Sequence, residues 1–577
     1  MAKARGFGYR EEMSATARGV ARSARVVMVL GCVVGAACSA GELRGLASRE
    51  HETPALAGPF ASVPERPPAT VPAALRIAPS EAPAEALTPE PSEAPAVAPP
   101  PEPSEALAAA APAEALREVP ADAPDALPEP ALHDGVPEYA EPTLTAIARE
   151  TLIYARPSFK APKLGYLRVG AVVSRSKQAL GNEGCKRGWY RIQPEGFVCV
   201  ENSAILDTEG PSPFAELALV RPDRMAPLPY RYGRSRYPTP PFYTRLPSKL
   251  DQERSEQELV GHLRARTAQA WKSVPDNPTP SLLSAGRSVP MPWGFPRKDG
   301  TATSGRAMPD SGFALLGIYE HEGRRFALNT DFQLLPLDRL KPVEVSSFHG
   351  IRLDDQVTLP VAFVRSANAI LYAGSPKTGL SIARKLDYRE AVPLTGKEVV
   401  VSGIHYLETK THDYIRDERL VRVERFKSKP GWATPGRSWI HVSILQQSLV
   451  MYEGEKPIYA TLVSTGADGL GDPAETHSTI RGQFLIHTKH VSVTMDSDVE
   501  GSEFDLRDVP YVQYFQEGFA LHAAFWHDSF GQPYSHGCVN LSPLDARALF
   551  HMTNPPVPQT WHAAMSLRGG TLVHITP

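Results

Sequence analysis

One histidine and one cysteine near the C-terminus form the part of the sequence best suited to covalent chemistry. His522 ends a strand-like run that begins at Phe519, and Cys538 follows sixteen residues later within Tyr534-Ser535-His536-Gly537-Cys538-Val539-Asn540. A thiolate is a strong nucleophile, and a nearby imidazole can take its proton or form an ion pair with it. The spacing and residue types therefore predict acyl transfer through Cys538, with a rate that falls when the His522–Cys538 pair is protonated.

The residues after His536 supply further parts that this chemistry needs. Gly537 permits a tight turn that exposes the sulfur and leaves backbone N–H groups for an oxyanion. A helical pattern follows at residues 543–550, and Pro543 suits a first helical turn. A helix that begins just after the nucleophile would present its positive dipole end, so we expect a lowered thiol pKa at Cys538.

This stretch resembles the catalytic domain of the bacterial L,D-transpeptidases, the cysteine transpeptidases of the cell wall, over residues 436–577. The resemblance depends on Ser-His-Gly-Cys and the upstream histidine. Asn540 stands where many members have arginine, and Ile480 stands where the family's Thr-Pro-x-Gly-x-Phe strand has proline. The resemblance implies a β-rich domain with a short helix after the nucleophile, Cys538 as nucleophile and His522 as general base.

The resemblance also implies roles for the neighbouring residues. The Ala523 carbonyl would orient the imidazole, His536 would help to hold the pocket, and the N–H groups of Gly537 and Cys538 would form the oxyanion hole. Tyr514 either lines a groove beneath a mobile flap or serves packing. The substrate-binding or supporting residues expected in this way are His536, Gly537, Ser535, Asn540, Ala523 and Tyr514.

The implied substrate is a stem tetrapeptide of peptidoglycan. Cys538 would form a thioester, release D-alanine and pass the acyl group to an amine of a neighbouring stem, which gives a 3→3 crosslink. Water as the acceptor would make the protein an L,D-carboxypeptidase, and a protein amine would make it an enzyme that attaches proteins to peptidoglycan. This chemistry requires no metal and no organic cofactor. The non-enzyme alternative is a cell-wall-binding scaffold protein whose catalytic domain has lapsed.

A zinc site is the rival interpretation of the same side chains. His522, His527, His536 and Cys538 could supply ligands. Their spacings match no familiar zinc motif, so we predict no metal at this place.

The remaining cysteines suggest one disulfide. Cys185 and Cys199 are close enough in sequence to face each other across a hairpin, and export would allow their oxidation. Cys538 is then an unpaired thiol, which in an exported protein requires a reason.

The N-terminus is typical of an export signal. Basic residues precede a charge-free run at residues 26–41, in which Cys38 follows a small residue, as at a lipoprotein processing site. Residues 1–38 are therefore interpreted as a lipidated signal, an ordinary cleaved signal or an uncleaved anchor. All three place the mature protein outside the cytoplasm, in the periplasm or cell envelope, and lipidation at Cys38 would anchor it to the membrane.

A Pro/Ala/Glu-rich segment at residues 39–142 follows the signal. Such a segment buries too little apolar surface to offset its ordering entropy, so we predict a disordered linker. It either spaces a catalytic head from a membrane or is a tail without a defined length.

The order of short strands at residues 143–206 resembles a bacterial SH3-like domain, because Gly-Trp-Tyr-x-Ile is followed by Gly-Phe-Val. Such a module either holds cell-wall peptides or packs against the catalytic domain. We expect an irregular Pro-rich connector at 207–310 and a β-rich region at 311–435, for which a second SH3-like module is one interpretation.

Composition excludes two classes of function. The formal net charge of −3 gives no electrostatic support for nucleic acid binding. No apolar run after the N-terminus approaches the roughly 20 residues of a membrane-spanning helix, so a multi-pass membrane protein is excluded. We therefore predict a mainly β, multidomain protein with a long disordered N-terminal linker.

Overall fold

Strands dominate the part of the chain that the computed structural model describes. That part is residues 142–577 apart from 218, 266–269, 285, 296–300, 429 and 498–502. The predicted signal, Cys38 and all but the last residue of the predicted linker lie outside the described residues. Within the described part, 32 strands accompany three α-helices, and the prediction of a mainly β protein is confirmed. No helix in this part is long and apolar enough to span a membrane.

The first module contains seven short strands, as its alternation of aromatic or β-branched runs with glycines indicates. They are β1 (Thr143–Ala146), β2 (Thr151–Tyr154), β3 (Lys163–Leu167), β4 (Val172–Ser174), β5 (Trp189–Arg191), β6 (Phe197–Cys199) and β7 (Ala204–Leu206). β1 pairs with β4 and β7, while β2 pairs with β3 and β6, and β5 pairs with β6. A bridge between Arg175 and Ile192 joins the two sets of strands.

The second module begins well before residue 311. It contains β8 (Arg231–Ser235), β9 (Pro241–Tyr243), α1 (Lys249–Ser255), α2 (Leu259–Ala265), β10 (Thr303–Arg306), β11 (Gly312–His321), β12 (Arg324–Asn329), β13 (Leu334–Pro336) and β14 (Leu340–Pro342). The expectation of an irregular connector at 207–310 is therefore wrong. Strands β8 and β9 are short and lack apolar alternation, and their partners follow only after the polar insertion 244–302 that contains both helices.

The third module repeats this arrangement without an insertion. Strand β15 (Ile351–Arg352) precedes it. The module itself contains β16 (Val361–Val364), β17 (Ile370–Ser375), β18 (Gly379–Lys385), β19 (Ala391–Val401), β20 (Ile404–Thr409), β21 (Tyr414–Arg416) and β22 (Leu420–Val423).

The second and third modules share one pairing order. Numbered within each module, strand 1 pairs with 4 and 7, strand 2 pairs with 3 and 6, and strand 5 pairs with 4 and 6. Strands β12 and β20 begin 80 residues apart, as do β13 and β21. Phe332 and His412, also 80 residues apart, both have positive φ values, 57° and 63°. The first module follows the same order, with its bridge in place of the 4–5 pairing. The SH3-like assignment stays a prediction.

The C-terminal region contributes two further sheets and one helix. Its strands are β23 (Ser438–Ser443), β24 (Ser448–Glu453), β25 (Lys456–Leu462), β26 (Gly482–Leu485), β27 (Thr488–Ser497), β28 (Phe504–Gln516), β29 (Phe519–Ala523), β30 (Val539–Leu541), β31 (Ala563–Met565) and β32 (Leu572–Thr576). One sheet has the order β15-β25-β24-β23-β32-β26. The other contains the long hairpin β27–β28 with β29, β30 and β31.

Helix α3 (Pro543–Met552) packs beneath this second sheet. Ser542 caps it by accepting a hydrogen bond from the Asp545 N–H, and Pro543 occupies its first turn, as the sequence predicted. Its buried face, with Leu549 and Phe550, enters a core shared with both sheets and with the first module.

The modules contact the C-terminal region through backbone pairing. In the first module, β3 continues the sheet beside β31. In the second, Gly312 pairs with Leu506 on β28. Strand β15, which leads into the third module, pairs with β25.

Candidate active site

Two parallel strands place His522 and Cys538 on one face of the sheet. On β29 and β30, Leu521 pairs with Val539 and His522 pairs with Asn540. Leu521 and Val539 point into the core, where both are fully buried. Because successive side chains alternate between faces, His522, Asn540 and Cys538 share the opposite face. Cys538 precedes β30 by one residue, which makes it the diagonal neighbour of His522.

The His522 ring is oriented by its own strand. The side chain is only 2% exposed, and its Nδ1 lies 3.2 Å from the Ala523 carbonyl oxygen. A carbonyl can only accept, so Nδ1 carries the proton and Nε2 is the basic nitrogen. Burial lowers the pKa of His522 to about 4, which keeps the ring neutral, as a general base must be.

The Cys538 thiol is partly exposed, yet its surroundings disfavour the thiolate. Burial raises the pKa of the thiol to about 11. A hydrogen bond from the Ala520 backbone lowers the pKa, but its effect is smaller than that of burial. The sulfur lies 3.7 Å from the Gly518 carbonyl oxygen. Our expectation of a lowered thiol pKa is therefore wrong, because β30 separates Cys538 from α3 and the positive end of that helix lies five residues further on.

The turn before Cys538 is held by hydroxyl groups. Ser535 Oγ donates to the Cys538 carbonyl and accepts from the Gly537 N–H at 3.1 Å. Thr479 Oγ1 donates to the Gly537 carbonyl at 2.8 Å. Gly537 has φ +122°, a conformation that other residues rarely adopt. Because its N–H is already bonded to Ser535, Gly537 does not supply the oxyanion donor that the resemblance implied, and the Cys538 N–H stays the candidate.

The Asn540 side chain connects this face to the loop between the two strands. Asn540 is 1% exposed, and its amide lies 2.9 Å from His527 Nε2. His527 Nδ1 accepts from the Ser529 N–H, so the neutral ring must donate through Nε2. The structure sets Asn540 Nδ2 toward His527 Nε2 and leaves Oδ1 buried without a protein partner. Two donors cannot bond each other, so we assign the amide with its two atoms exchanged: the oxygen accepts from His527, and the NH2 group takes the buried position without a protein partner.

The His536 side chain packs beside the long hairpin. Its ring is exposed and lies 4.6 Å from the ring of His477 and 5.1 Å from that of Phe504, measured between centroids. Phe504 begins β28, so His536 contacts the end of the long hairpin, and its role in holding the pocket stays a prediction.

Aromatic side chains border the thiol. Tyr514 on β28 is half-buried, and burial raises its pKa, with a further contribution from the adjacent Cys538. The Trp526 ring lies 5.7 Å from the His522 ring. The ring of Tyr534, which is exposed, lies tilted against the His527 ring, with 4.2 Å between the centroids. Trp526 and His527 therefore form the rim of the site.

The second and third modules both hold the rim loop, residues 524–534. Arg234 of the second module donates to the Trp526 carbonyl at 3.1 Å. Arg389 of the third module binds both carboxylate oxygens of Asp528, one of them at 2.7 Å, and Ser346 donates to the same carboxylate. The Arg389 hydrogen bond holds the Asp528 pKa below its ordinary value. These contacts are long-range, and no local sequence signal indicated them.

The zinc interpretation finds no donor set in the structure. His522, His527, His536 and Cys538 do not form a group whose ligand atoms lie within 4.8 Å of one another. Among the described residues, the one such group is Cys185, Cys199 and Glu201. In the first module, Cys185 and Cys199 are joined in a disulfide beside Trp189, and Cys538 is a free thiol.

A parallel strand pair thus places a buried, oriented imidazole and a thiol on one face of the sheet. The sequence of this region, residues 437–575, matches the family model YkuD, the L,D-transpeptidase catalytic domain. The prediction of such a domain in this part of the chain is confirmed by that match. A search of curated proteins found no match.

Solved structures with a local likeness include three L,D-transpeptidases. The enzyme from Enterococcus faecium is 21% identical, with a TM-score of 0.19 over 25% of this chain and 50% of that chain. The enzyme from Stackebrandtia nassauensis is 26% identical, with a TM-score of 0.18 over 24% and 56%. The enzyme from Mycobacterium smegmatis is 16% identical, with a TM-score of 0.20 over 40% and 100%. The chain thus spans about half the length of the first two, and we draw no conclusion from these low scores.

Proposed function

We propose that the protein is a peptidoglycan L,D-transpeptidase that works through a thioester on Cys538. The observation that carries the proposal is the placement of Cys538 and the oriented His522 on one sheet face, within the region that matches the family.

The resting pair is neutral, so the reaction must begin with a proton transfer. His522 Nε2 takes the thiol proton as the sulfur attacks the carbonyl after the third residue of a stem tetrapeptide. The Cys538 N–H stabilises the oxyanion. The imidazolium then protonates the departing D-alanine amine, and the thioester stays on Cys538.

The second half of the reaction reverses these steps. An amine of a neighbouring stem attacks the thioester carbonyl, and His522 takes the proton that the amine loses. The carbon–sulfur bond breaks, the thiolate regains its proton, and a 3→3 crosslink remains. Water in place of the amine would give a carboxypeptidase, and a protein amine would attach that protein to the wall.

Two further residues are proposed to bind the stem. The unpartnered amide group of Asn540 lies on the same face as Cys538, so it can donate to a substrate carbonyl or carboxylate. Tyr514 lies beside the thiol, where its ring can bound the acyl group. Both roles are inferred from the positions of these side chains beside Cys538. The identity of the acyl acceptor has to be determined by experiment.

Export to the periplasm or cell envelope belongs to the same proposal. The Cys185–Cys199 disulfide supports it, because disulfides persist in oxidising compartments. Anchoring through a lipidated Cys38 is the more specific form of this proposal. Mass analysis of the N-terminal peptide of the mature protein tests it, since a diacylglyceryl group on Cys38 is expected and a cleaved, unlipidated terminus would contradict it.

The enzyme class is tested by incubating the purified protein with a carbapenem. We expect a mass adduct on one residue, and we expect Cys538→Ala to abolish it. A folded wild-type protein without a Cys538 adduct would favour the alternative of a cell-wall-binding scaffold with a lapsed catalytic domain.

A further inference from the structure

A polar cleft of about 870 Å³ lies between the third module and the C-terminal region. Its volume falls within the roughly 300–1,000 Å³ that is typical of ligand sites. Leu462 and Phe530 form an apolar floor, each about 1% exposed. The third module supplies one wall, and residues 445–447 and 530–533 supply the other.

The walls carry charges of both signs. Arg365 is exposed, and its side chain has no hydrogen-bond or ion-pair partner among the described residues. Asp417 and Glu418 supply carboxylates in the same cleft, and Glu418 is exposed, with its side-chain contacts to arginines 3.4 Å or longer. Gln446 and Gln532 add amide groups that can bond a peptide backbone.

The cleft is connected to the nucleophile by a short path. Ala467 in its wall donates from its N–H to the Ser535 carbonyl at 2.8 Å, and Ser535 in turn bonds the Cys538 carbonyl. Pro533, also in the wall, is five residues from Cys538, a separation of at most about 18 Å of extended chain. An extended four-residue peptide spans about 14 Å, a length comparable with that upper bound.

We propose that this cleft binds the stem peptide of a second peptidoglycan strand, the one that supplies the attacking amine. This inference rests on the proposed function. Such a stem carries carboxylates, which suit Arg365, and backbone N–H groups, which can donate to Asp417 or Glu418, so its amine stays free to attack the thioester. Its alanine methyl groups suit the apolar floor, and its amides suit the glutamines. An uncharged glycan would leave Arg365 without a carboxylate partner, so the peptide is the favoured occupant.

Binding is tested with the full chain carrying Cys538→Ala, so that no turnover occurs. The probe is a disaccharide tripeptide from peptidoglycan, which has the amine but lacks the D-alanine leaving group. Calorimetric titration should show Arg365→Glu binding about tenfold more weakly, because a charge-assisted contact becomes a repulsion. Arg352→Glu is the matched control, since Arg352 is an exposed arginine outside the cleft. The affinity of this variant for the disaccharide tripeptide should equal that of the parent.

Two outcomes of the titration would overturn the proposal. One is equal affinity of the parent and the Arg365→Glu variant, or no measurable binding by the parent. The other is equal binding of the disaccharide without its peptide, which would make the glycan the occupant.

An activity measurement separates this inference from the proposed function. With Cys538 intact, Arg365→Glu should be acylated by a carbapenem at the wild-type rate, while its yield of crosslinked dimers should fall several-fold. Normal dimer formation by Arg365→Glu would refute the proposed role of the cleft, but it would not contradict the proposed enzyme class. Absence of Cys538 acylation in the wild-type chain would instead refute the proposed function.

Discussion

The protonation states of two residues decide how the proposed reaction starts. Burial lowers the pKa of His522 to about 4 and raises that of Cys538 to about 11. Between these values, both side chains are neutral. The site therefore stores no thiolate, and the sulfur becomes nucleophilic only as its proton moves to His522.

The pH dependence of acylation follows from these directions. As pH falls through about 4, His522 becomes protonated and can no longer accept the thiol proton, so the acylation rate should fall. Between about pH 5 and 9 the rate should be nearly constant. Carbapenem acylation followed by stopped-flow measurement checks this. An acid limb near pH 6.5 would show that His522 titrates as a solvated histidine, contrary to its buried position.

Asn540 is predicted to bind substrate through its unpartnered amide group. We expect Asn540→Ala to lower kcat/KM for stem peptides by about ten- to a hundredfold, the scale of one lost hydrogen bond to a charged group. Asn182→Ala is the matched control, because Asn182 is exposed in the first module. Equal kinetics in the two variants, with unchanged thermal unfolding, would exclude this role.

The motif could be predicted from sequence because its members are close in sequence and chemically distinctive. Ser535, Gly537, Cys538 and the upstream His522 needed no tertiary information. The use of the Gly537 N–H by Ser535 and the His527–Asn540 contact could not be predicted, since each depends on side-chain directions that only the packed turn fixes.

At the scale of elements, the rim loop links the candidate active site to the third module. The Arg389–Asp528 pair holds this loop, and His527 beside it bonds Asn540. Arg389 is mostly buried, with 10% of its side chain exposed, whereas Asp528 is 54% exposed. Solvent screening therefore limits the energy of the pair to about 1 kcal/mol or less.

A double-mutant cycle tests this link. Arg389→Ala and Asp528→Ala should each lower the acylation rate by up to about fivefold, the equivalent of about 1 kcal/mol. The double variant should be no slower than the slower single variant, because both remove the same contact. Strictly additive losses would show that the two side chains act separately.

The positions of the strands were easier to predict than the division of those strands into modules. The runs in the first module and the C-terminal region have local turn and alternation signals, so their strands were found. The second module was missed because an insertion separates β9 from β10, which leaves its first strands without nearby partners. Equivalent positions of the second and third modules lie 80 residues apart. They share strand starts and a positive φ value, whereas the residues at these positions mostly differ.

At the scale of the whole molecule, a buried ion pair ties the first module to the long hairpin. Arg168 lies 2.6 Å from Asp508 on β28, and the Asp508 side chain is 1% exposed. Tyr232 of the second module donates to the Asp508 carbonyl, so three parts of the chain meet there. Burial by itself would raise the Asp508 pKa, but Arg168 and nearby hydrogen bonds outweigh it and hold the pKa near 2.

Loss of Arg168 should therefore destabilise the protein strongly. Arg168→Ala leaves a buried carboxylate without its partner, which costs about 3–5 kcal/mol. Thermal or urea unfolding measures this cost, and Arg191→Ala, at an exposed arginine of the same module, is the control. Because the Asp508 pKa is depressed, its contribution is present above about pH 4 and is lost as pH falls toward 2. An unchanged unfolding midpoint in Arg168→Ala would contradict this account.

Contacts of this kind join residues about 340 positions apart in the chain. Sequence composition predicts a small β module at 143–206, but it contains no signal for the partner of Arg168. The division into modules was therefore partly predictable, whereas their arrangement around the hairpin was not.

The most direct test of the central claim is muropeptide analysis of peptidoglycan treated with residues 140–577. Sacculi are incubated with the protein or with its Cys538→Ala variant, digested to muropeptides and analysed by mass spectrometry. The account predicts new 3→3 dimers that depend on Cys538. Tripeptides without dimers would indicate a carboxypeptidase, and no Cys538-dependent change at all would contradict transpeptidation between stem peptides.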